Sequence, residues 1–294
     1  MAKARALDKR RKSIKNIRKI TRTMELVSTA QFRRAMERAV AADSYTKRIV
    51  RLVRDLAKAG LKTEHPLLAE RSASKRAVLF ILSANRGLCG GYNSGVLRAG
   101  IARLKELQSE YDEVELVVSG KRGFSYLTYH GYGVDRSYTQ FDDKPVYEDV
   151  LVLADDVLKR YRVGEVDRVD VAFSKFVSLS KQYPTSETLL PLSSMTSEIE
   201  EDATNSSELV DYEFLPSPRS ILDEVVPNAF RIKFFKAFLD AAVSEQIARM
   251  MAMKAATDNA DQMISMLTTS YNRARQSQIT NEIIEVISGA SALQ

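Results

Sequence analysis

Residues 228–288 contain neither Gly nor Pro, and this interval lies between Pro227 and Gly289. An uninterrupted α-helix over these residues would be roughly 90 Å long, at about 1.5 Å per residue. Within it, a series of positions recurs in strict steps of four and three residues, as in the apolar seam of a coiled coil. The series is Leu239, Val243, Gln246, Met250, Met253, Thr257, Ala260, Ile264, Leu267, Tyr271 and Ala274. A helix this long cannot bury its seam inside an ordinary globular core, so the pattern predicts a partner helix.

A second helix-forming interval opens the chain, since residues 1–59 also lack Gly and Pro. Apolar residues in its first half lie on one side of the helix. In its second half they recur in alternating steps of three and four residues, as in a coiled-coil seam. These residues are Ile14, Ile17, Ile20, Met24 and Val27, followed by Ala42, Tyr45, Ile49, Leu52, Leu56 and Ala59. Eleven of the twelve Gly and all seven Pro, the residues that interrupt helices, lie between the two intervals. The pattern therefore predicts two long helices that pair antiparallel, with a compact insert between them.

The middle of the chain alternates buried-strand patterns with amphipathic-helix patterns. The predicted strands are Ala77–Ser83, Val114–Ser119, Val169–Val177 and a strand near Thr188–Leu192, and the predicted helices are Asn93–Gln108, Lys121–Tyr129 and Tyr147–Tyr161. This alternation predicts a mostly parallel, three-layer α/β domain. The expected organisation is an N-terminal coiled-coil helix (1–59), a central α/β domain with an acidic connecting segment (60–227), and a C-terminal coiled-coil helix with a tip (228–294).

Charge is distributed unevenly along the chain. Residues 1–59 carry eighteen Lys and Arg against five Asp and Glu, a net charge of +13, whereas residues 60–227 have a net charge of −8. A basic face of this kind predicts an acidic partner, which is either nucleic acid or an acidic protein surface. The single Cys89 excludes an internal disulfide, and with only two His residues it excludes a Cys/His zinc site.

The segment Asn85–Asn93, between the first predicted strand and the next helix, is the one candidate nucleotide loop. Its glycines do not have the GxGxxG spacing, and no Gly-Lys-Ser/Thr follows them. The second predicted strand ends without the acidic residue that would hold a ribose. A tight turn or a contact loop is the preferred interpretation. No nucleophile–base pair is recognisable in the sequence, so neither a catalytic site nor a cofactor is predicted.

Three motifs, in order, carry a family resemblance. The segment Arg11–Ser28 resembles the first helix of the gamma subunit of F-type, proton-translocating ATP synthases, and Arg86–Asn93 resembles a characteristic loop of that family. Ser244–Ala260, followed by Tyr271–Gln276, Ile279-Thr280 and the Ser288-Gly-Ala290 ending, is the strongest match. The resemblance covers essentially the whole chain.

The resemblance implies a Rossmann-like three-layer α/β domain inserted between two long helices that form an antiparallel coiled coil. It implies a non-catalytic rotor shaft, which couples proton flow through the membrane ring of c subunits to ATP synthesis or hydrolysis on the beta subunits. The implied partners are the alpha and beta subunits of the catalytic hexamer, the epsilon subunit and the c ring. The implied location is peripheral, on the cytoplasmic face of a bacterial inner membrane.

The resemblance also places partner contacts at particular residues. These are Lys19, Arg22 and Met24 on the first helix, Arg86 and Cys89 in the glycine-rich loop, Tyr212 and Phe214 near the membrane ring, Arg275, Gln276 and Thr280 on the last helix, and Ile287 and Leu293 at the uncharged tip. Two other functions remain open from the residues themselves. A basic coiled-coil protein that binds nucleic acid would explain the N-terminal charge, and a nucleotide-dependent enzyme would use the α/β domain.

Overall fold

The computed structural model describes residues 2–58, 67, 75–141, 144–192 and 218–291. Two long helices open and close this part of the chain, α1 at Ala2–Lys58 and α5 at Pro218–Ser291. Between them lie three shorter helices and five strands. They are β1 (Arg76–Leu82), α2 (Tyr92–Glu110), β2 (Glu113–Ser119), α3 (Lys121–Tyr129), β3 (Arg136–Tyr138), α4 (Tyr147–Arg162), β4 (Arg168–Ser178) and β5 (Lys181–Leu190).

The predicted start of the last helix was wrong, because α5 begins before Asn228 and contains Pro227 in its interior. Proline has no N–H to donate to the carbonyl four residues earlier, and its ring crowds that carbonyl. The flanking side chains of Val226, Ala229 and Phe230 are almost fully buried. Burial of these apolar groups offsets the missing hydrogen bond, so the helix continues through the proline.

The five strands of the described chain form one sheet in the order β3-β2-β1-β4-β5. The first four are parallel, and β5 runs antiparallel to β4. The predicted mostly parallel sheet is therefore confirmed. Strand β5 begins at Lys181, earlier than the predicted Thr188, because its polar first half pairs along the length of β4.

Helices cover both faces of the sheet, which gives the three predicted layers. On one face, Val78, Phe80 and Leu82 of β1 pack with α4 and α5. On the other face, Leu79 and Ile81 of the same strand pack with α2 and α3. Successive side chains of a strand point to opposite faces, so a strand that is apolar throughout can serve both layers. The Rossmann-like three-layer arrangement between long helices is confirmed.

The chain divides into two compact units. One contains Met1–Thr29 and Arg249–Gln294, and the other contains Ala30–Ala248. The larger unit holds the sheet, and in it α1 packs against α5 through a small apolar cluster. The buried members of this cluster are Ala35, Ala39, Leu239, Val243 and Ile247. The domain boundaries expected from composition, at residues 59/60 and 227/228, stay a prediction.

In the smaller unit, α1 and α5 run antiparallel. The guanidinium of Arg11 lies 4.8 Å from the ring centre of Tyr271, and Arg18 forms a 2.8 Å ion pair with Asp261. Rising residue numbers in α1 therefore meet falling numbers in α5, as the sequence predicted. The predicted seam of α5 is also confirmed, since each of its positions from Leu239 to Ala274 is buried or half-buried.

The apolar side predicted for the first half of α1 is not the side that α5 covers most tightly. Ile17, Ile20 and Val27 are 46, 60 and 51% exposed. The buried positions are instead Thr21 and Ser28, which are 8 and 1% exposed. Small side chains let two helix backbones approach closely. Their hydroxyl groups can donate hydrogen bonds to carbonyls of the preceding turn in the same helix. The seam of α1 is therefore small and polar here, and the isoleucines lie on another face.

Candidate partner-binding surfaces

A basic face runs along the first turns of α1. Lys15, Lys19 and Arg22 are exposed and recur at helical spacing. Arg22 forms a 2.8 Å ion pair with Glu25 on the same helix. Within the described residues, Lys15 and Lys19 form no ion pair. Cations that are held on a rigid helix without internal acid partners suit an acidic partner.

Met24 is half-buried on the same helix, whereas Lys19 and Arg22 are exposed. At 100° per residue, Met24 lies on the side of Ile17 and Ile20 rather than on the basic side. The structure therefore separates the three predicted contact residues of α1 into two faces. Sequence reasoning missed this separation because it grouped the three residues by their level along the helix and not by their direction around it.

The glycine-rich loop between β1 and α2 is held firmly from both ends. The side-chain amide oxygen of Asn93 accepts from the backbone N–H of Ala84 at 2.9 Å, and that of Asn85 accepts from the backbone N–H of Lys121 at 3.0 Å. Leu88 has a left-handed φ of 64° and is 60% exposed. A non-glycine residue in this conformation is uncommon. The loop therefore displays Arg86 and Leu88, both of which are exposed.

Cys89 lies on the inner side of this loop and is only 2% exposed. Its Sγ accepts from the side-chain amide of Asn93 at 3.1 Å, and it belongs to the core cluster beneath α2. The buried thiol supports the loop from within, so Arg86 is the member of the predicted pair that is available at the surface.

At its carboxyl edge, the sheet is braced by Ser83. Its Oγ donates to the carbonyl of Ser119 at 2.8 Å and accepts from the backbone N–H of Gly123 at 2.9 Å. Gly120 has φ of 102°, and a Cβ there would lie 2.1 Å from the carbonyl oxygen of Ser83. Only glycine permits this approach. These contacts of Ser83 fix the start of α3 against the end of β1, next to the glycine-rich loop.

Arg275 and Gln276 are exposed on α5, as is Thr280, whose hydroxyl donates to the carbonyl of Gln276 at 3.0 Å. The expectation that the first two side chains project outward is confirmed. Their binding role stays a prediction.

Beyond this point, the apolar residues of α5 leave the seam and are exposed. They are Ile279, Ile283, Ile284, Val286 and Ile287, with exposures between 43 and 72%. An exposed apolar row on an otherwise polar helix end indicates an interaction surface. Tyr212, Phe214 and Leu293 lie outside the described residues.

A buried acid that sequence reasoning did not single out lies in the larger unit. Asp240 is 3% exposed. Burial raises the pKa of Asp240 to about 7, against the opposing effects of Lys236 and Lys175 and with the support of Glu187 and Asp43. Lys236 pairs with Asp43, and Lys175 pairs with Glu187 at 2.8 Å. The charged groups around Asp240 thus come from α1, α5, β4 and β5.

Among the described residues, no group of His, Cys, Asp and Glu side chains has an arrangement that could hold a metal ion. His130 is stacked on Tyr126 with ring centres 4.0 Å apart, and its Nδ1 lies 2.8 Å from the carbonyl oxygen of the same tyrosine. No described helix is long and apolar enough to cross a membrane.

Comparison with known proteins identifies the family. A sequence profile described as ATP synthase matches residues 3–293. A gamma chain of ATP synthase from Rhodopirellula baltica is 52% identical over the full length of both chains. The chain belongs to the ATP synthase gamma-chain family. The gamma chain from Trichlorobacter lovleyi, 37% identical over the full length of both chains, agrees with this.

Solved structures of ATP synthases share the fold. One chain of the Euglena gracilis mitochondrial OSCP/F1/c-ring assembly matches with a TM-score of 0.63 and 17% identity, covering 99% of this chain and 95% of that one. A chain of the Tetrahymena thermophila central stalk and c-ring matches with a TM-score of 0.56, covering 81% of this chain and 99% of that one. As a gamma subunit, the chain is the rotor of the central stalk in a membrane-associated ATP synthase.

Proposed function

We propose that this rotor works by presenting chemically different faces of its helix pair to the catalytic hexamer. A rotating element can shift the conformation of a neighbour only if it interacts differently with the neighbour's alternative states. The first turns of α1 have a seam face, a basic face and an apolar face. This asymmetry is the observation that carries the proposal, because a helix pair with uniform surfaces would interact equally in every orientation.

Lys19 and Arg22 meet acidic side chains of the beta subunits through their charge, and Met24 adds an apolar contact. Arg86 meets an acidic loop of the beta subunit. The buried Cys89 supports the glycine-rich loop of this chain that carries Arg86. Arg275, with its planar fork of donors, and Gln276, with its amide, engage a carboxylate and a carbonyl or hydroxyl of a beta subunit, beside Thr280.

Ile287 and Leu293 belong to an apolar tip that turns inside an apolar sleeve formed by the alpha and beta subunits. Tyr212 and Phe214 contact the c ring, and the epsilon subunit binds beside the α/β domain. In this proposal the gamma chain catalyses nothing itself, since ATP forms on the beta subunits. It works as a peripheral membrane protein on the cytoplasmic face of a bacterial inner membrane.

A reversible cross-link tests the proposal. Arg86→Cys adds an exposed thiol, whereas the native Cys89 is buried and serves as the internal control. A disulfide between position 86 and a cysteine in an acidic loop of the beta subunit should stop proton-driven ATP synthesis in vesicles, and reduction should restore it. Undiminished synthesis by the fully cross-linked complex would show that the chain does not turn against the beta subunits.

A further inference from the structure

The hairpin formed by β4 and β5 extends beyond the rest of the sheet. Strand β4 pairs with β1 only as far as Ala172, but it continues to Ser178 before the chain turns into β5. At roughly 3.3 Å per residue, these further residues span about 20 Å. We call this part of the hairpin, residues 173–185, the projecting half. Beyond β4 and β5 themselves it has no neighbouring strand among the described residues, so the helices that touch it must hold it in place.

A polar stripe on α5 faces this hairpin. Its members, which recur in steps of three, four and four residues and so share one face of the helix, are Lys233, Lys236, Asp240 and Ser244. The Nζ of Lys233 donates to the carbonyl of Thr188 in β5 at 3.1 Å. The Oγ of Ser244 donates to the carbonyl of Ser174 in β4 at 3.0 Å, and Phe176 packs against the apolar cluster shared by α1 and α5. The projecting half is therefore held on this side by the two long helices.

Asp240 lies between the two ends of the stripe, where the hairpin and α1 both meet α5. On the side of α1, Lys236 pairs with Asp43. On the side of the hairpin, Lys175 of β4 pairs with Glu187 of β5 at 2.8 Å. These four residues are the charged groups that act on Asp240, and they come from every element that meets at this junction.

The net charge of the junction depends on one proton. The two lysines and the two acids that pair with them cancel, so a neutral Asp240 leaves no net charge. An ionised Asp240 adds one negative charge at a side chain that is almost fully buried. A buried charge without a partner of its own is costly, whereas the same charge in water is well solvated. Ionisation therefore favours any motion that admits water to the junction.

Asp240 changes its charge near neutral pH. Burial is the main cause that raises its pKa to about 7, from the ordinary 3.8, against the opposing effect of the two lysines. In a loosened junction that admits water, its pKa would return toward the ordinary value, so the closed junction holds the proton more tightly. The closed junction is therefore favoured most at pH 4 and below, less as the pH rises toward 7, and least above 7.

We propose that Asp240 is a proton-operated latch between α5 and the projecting half. The neutral carboxyl group keeps the projecting half closed on α5, whereas the ionised carboxylate loosens it. A two-stranded hairpin without support is marginally stable in water at best, so loosening lets its strands fray. The α/β domain of the rotor is thus held to its long helix more firmly in a mildly acidic solution than in an alkaline one. The latch lies within the chain and works whichever surfaces meet the hexamer.

Hydrogen–deuterium exchange of the full-length chain at pH 6 and pH 8, corrected for the intrinsic pH dependence of exchange, measures the loosening. Asp240→Asn keeps the shape of the neutral acid but cannot ionise. Asp258→Asn is the matched control, because Asp258 also lies on α5 but is exposed. Amides of β5 before Thr188 report on the projecting half, and those of β1, at the centre of the sheet, report on the whole sheet.

In the unmodified chain and in Asp258→Asn, the protection of these β5 amides should fall about tenfold from pH 6 to pH 8, as a pKa of about 7 when closed and 3.8 when open requires. In Asp240→Asn it should change little. The β5 amides should also exchange faster than those of β1 at both pH values, because the hairpin loosens without unfolding of the sheet. A fall that persists in Asp240→Asn, no fall in the unmodified chain, or equal protection of β5 and β1 would overturn the latch.

Discussion

The hydroxyl group of Thr257 in α5 lies 2.8 Å from that of Thr21 in α1, inside the seam of the smaller unit. Each hydroxyl also lies near a carbonyl of its own helix, 3.1 Å from that of Arg18 for Thr21 and 2.8 Å from that of Met253 for Thr257, so one hydroxyl donates across the helix pair while the other donates within its own helix. Both side chains are buried, at 8 and 6% exposure. A polar pair within a helical seam favours one register over the others. This pair therefore fixes how far α1 is shifted along α5 in this unit.

Replacing only one of these threonines should cost more than replacing both. Thr21→Val or Thr257→Val removes one partner and should destabilise the chain by about 1 kcal/mol, whereas the double Val variant pairs two isosteric apolar groups. Urea unfolding followed by circular dichroism gives the change in unfolding free energy for each of the three variants. Strictly additive values would show that the two hydroxyls do not interact.

Asp240 should make stability depend on pH below neutrality. Its folded pKa of about 7 exceeds the ordinary value of 3.8, so the folded chain binds this proton more tightly than the unfolded chain. Stability from this group is therefore largest at pH 4 and below, falls as the pH rises from 4 to 7, and stays low above 7.

The variant Asp240→Asn should remove this dependence. It should be more stable than the unmodified chain at pH 8, by roughly 2–4 kcal/mol, and the difference should shrink toward pH 5. Thermal unfolding of both chains across this range provides the comparison. Parallel curves for the two chains would mean that Asp240 titrates normally.

Gly120 and Gly131 form a matched pair for backbone strain. Both have positive φ, at 102° and 79°, but only at Gly120 would a Cβ collide with another group, the carbonyl of Ser83. Gly131→Ala should cost about 1 kcal/mol from strain alone, and Gly120→Ala should cost roughly 3 kcal/mol or more. Equal losses in melting temperature would indicate that the brace at Ser83 yields easily.

Arg275 and Gln276 should affect coupling rather than assembly. Because both are exposed and lie outside the seam, replacing both by Ala leaves the helix pair intact. The proton-driven synthesis rate per assembled complex should fall roughly fivefold, at the lower end of typical coupling free energies. Arg273→Ala, at another exposed position of the same helix, is the control. A rate equal to that of the control would remove the pair from the coupling pathway.

The sequence predicted the elements whose apolar pattern is long and uniform. Strand β1, buried on both faces, and the seam of α5 were both recognisable in this way. Strand β3 was missed because three residues are too few to show a period. The seam of the first half of α1 could not be read from the apolar pattern, because the small polar Thr21 and Ser28 are the buried positions there.

The candidate contact residues also divide into those whose exposure could be predicted from the sequence and those for which it could not. Exposure of Arg275 and Gln276 followed from their place one and two residues after Ala274, a seam position. The burial of Cys89 did not follow from its glycine neighbours, because it depends on the amide of Asn93 and on the core beneath α2. The charged groups around Asp240 come from four elements distant in sequence, so only the fold brings them together.

Observing rotation of the chain inside the hexamer is the most direct test of the proposed rotor function. Val163 is 72% exposed, so Val163→Cys can carry a gold particle while the hexamer is fixed to glass and supplied with ATP. The account predicts stepwise rotation in one direction, which stops when Arg86→Cys is cross-linked to the beta subunit. Sustained ATP hydrolysis by single complexes whose labelled chain stays still would contradict it.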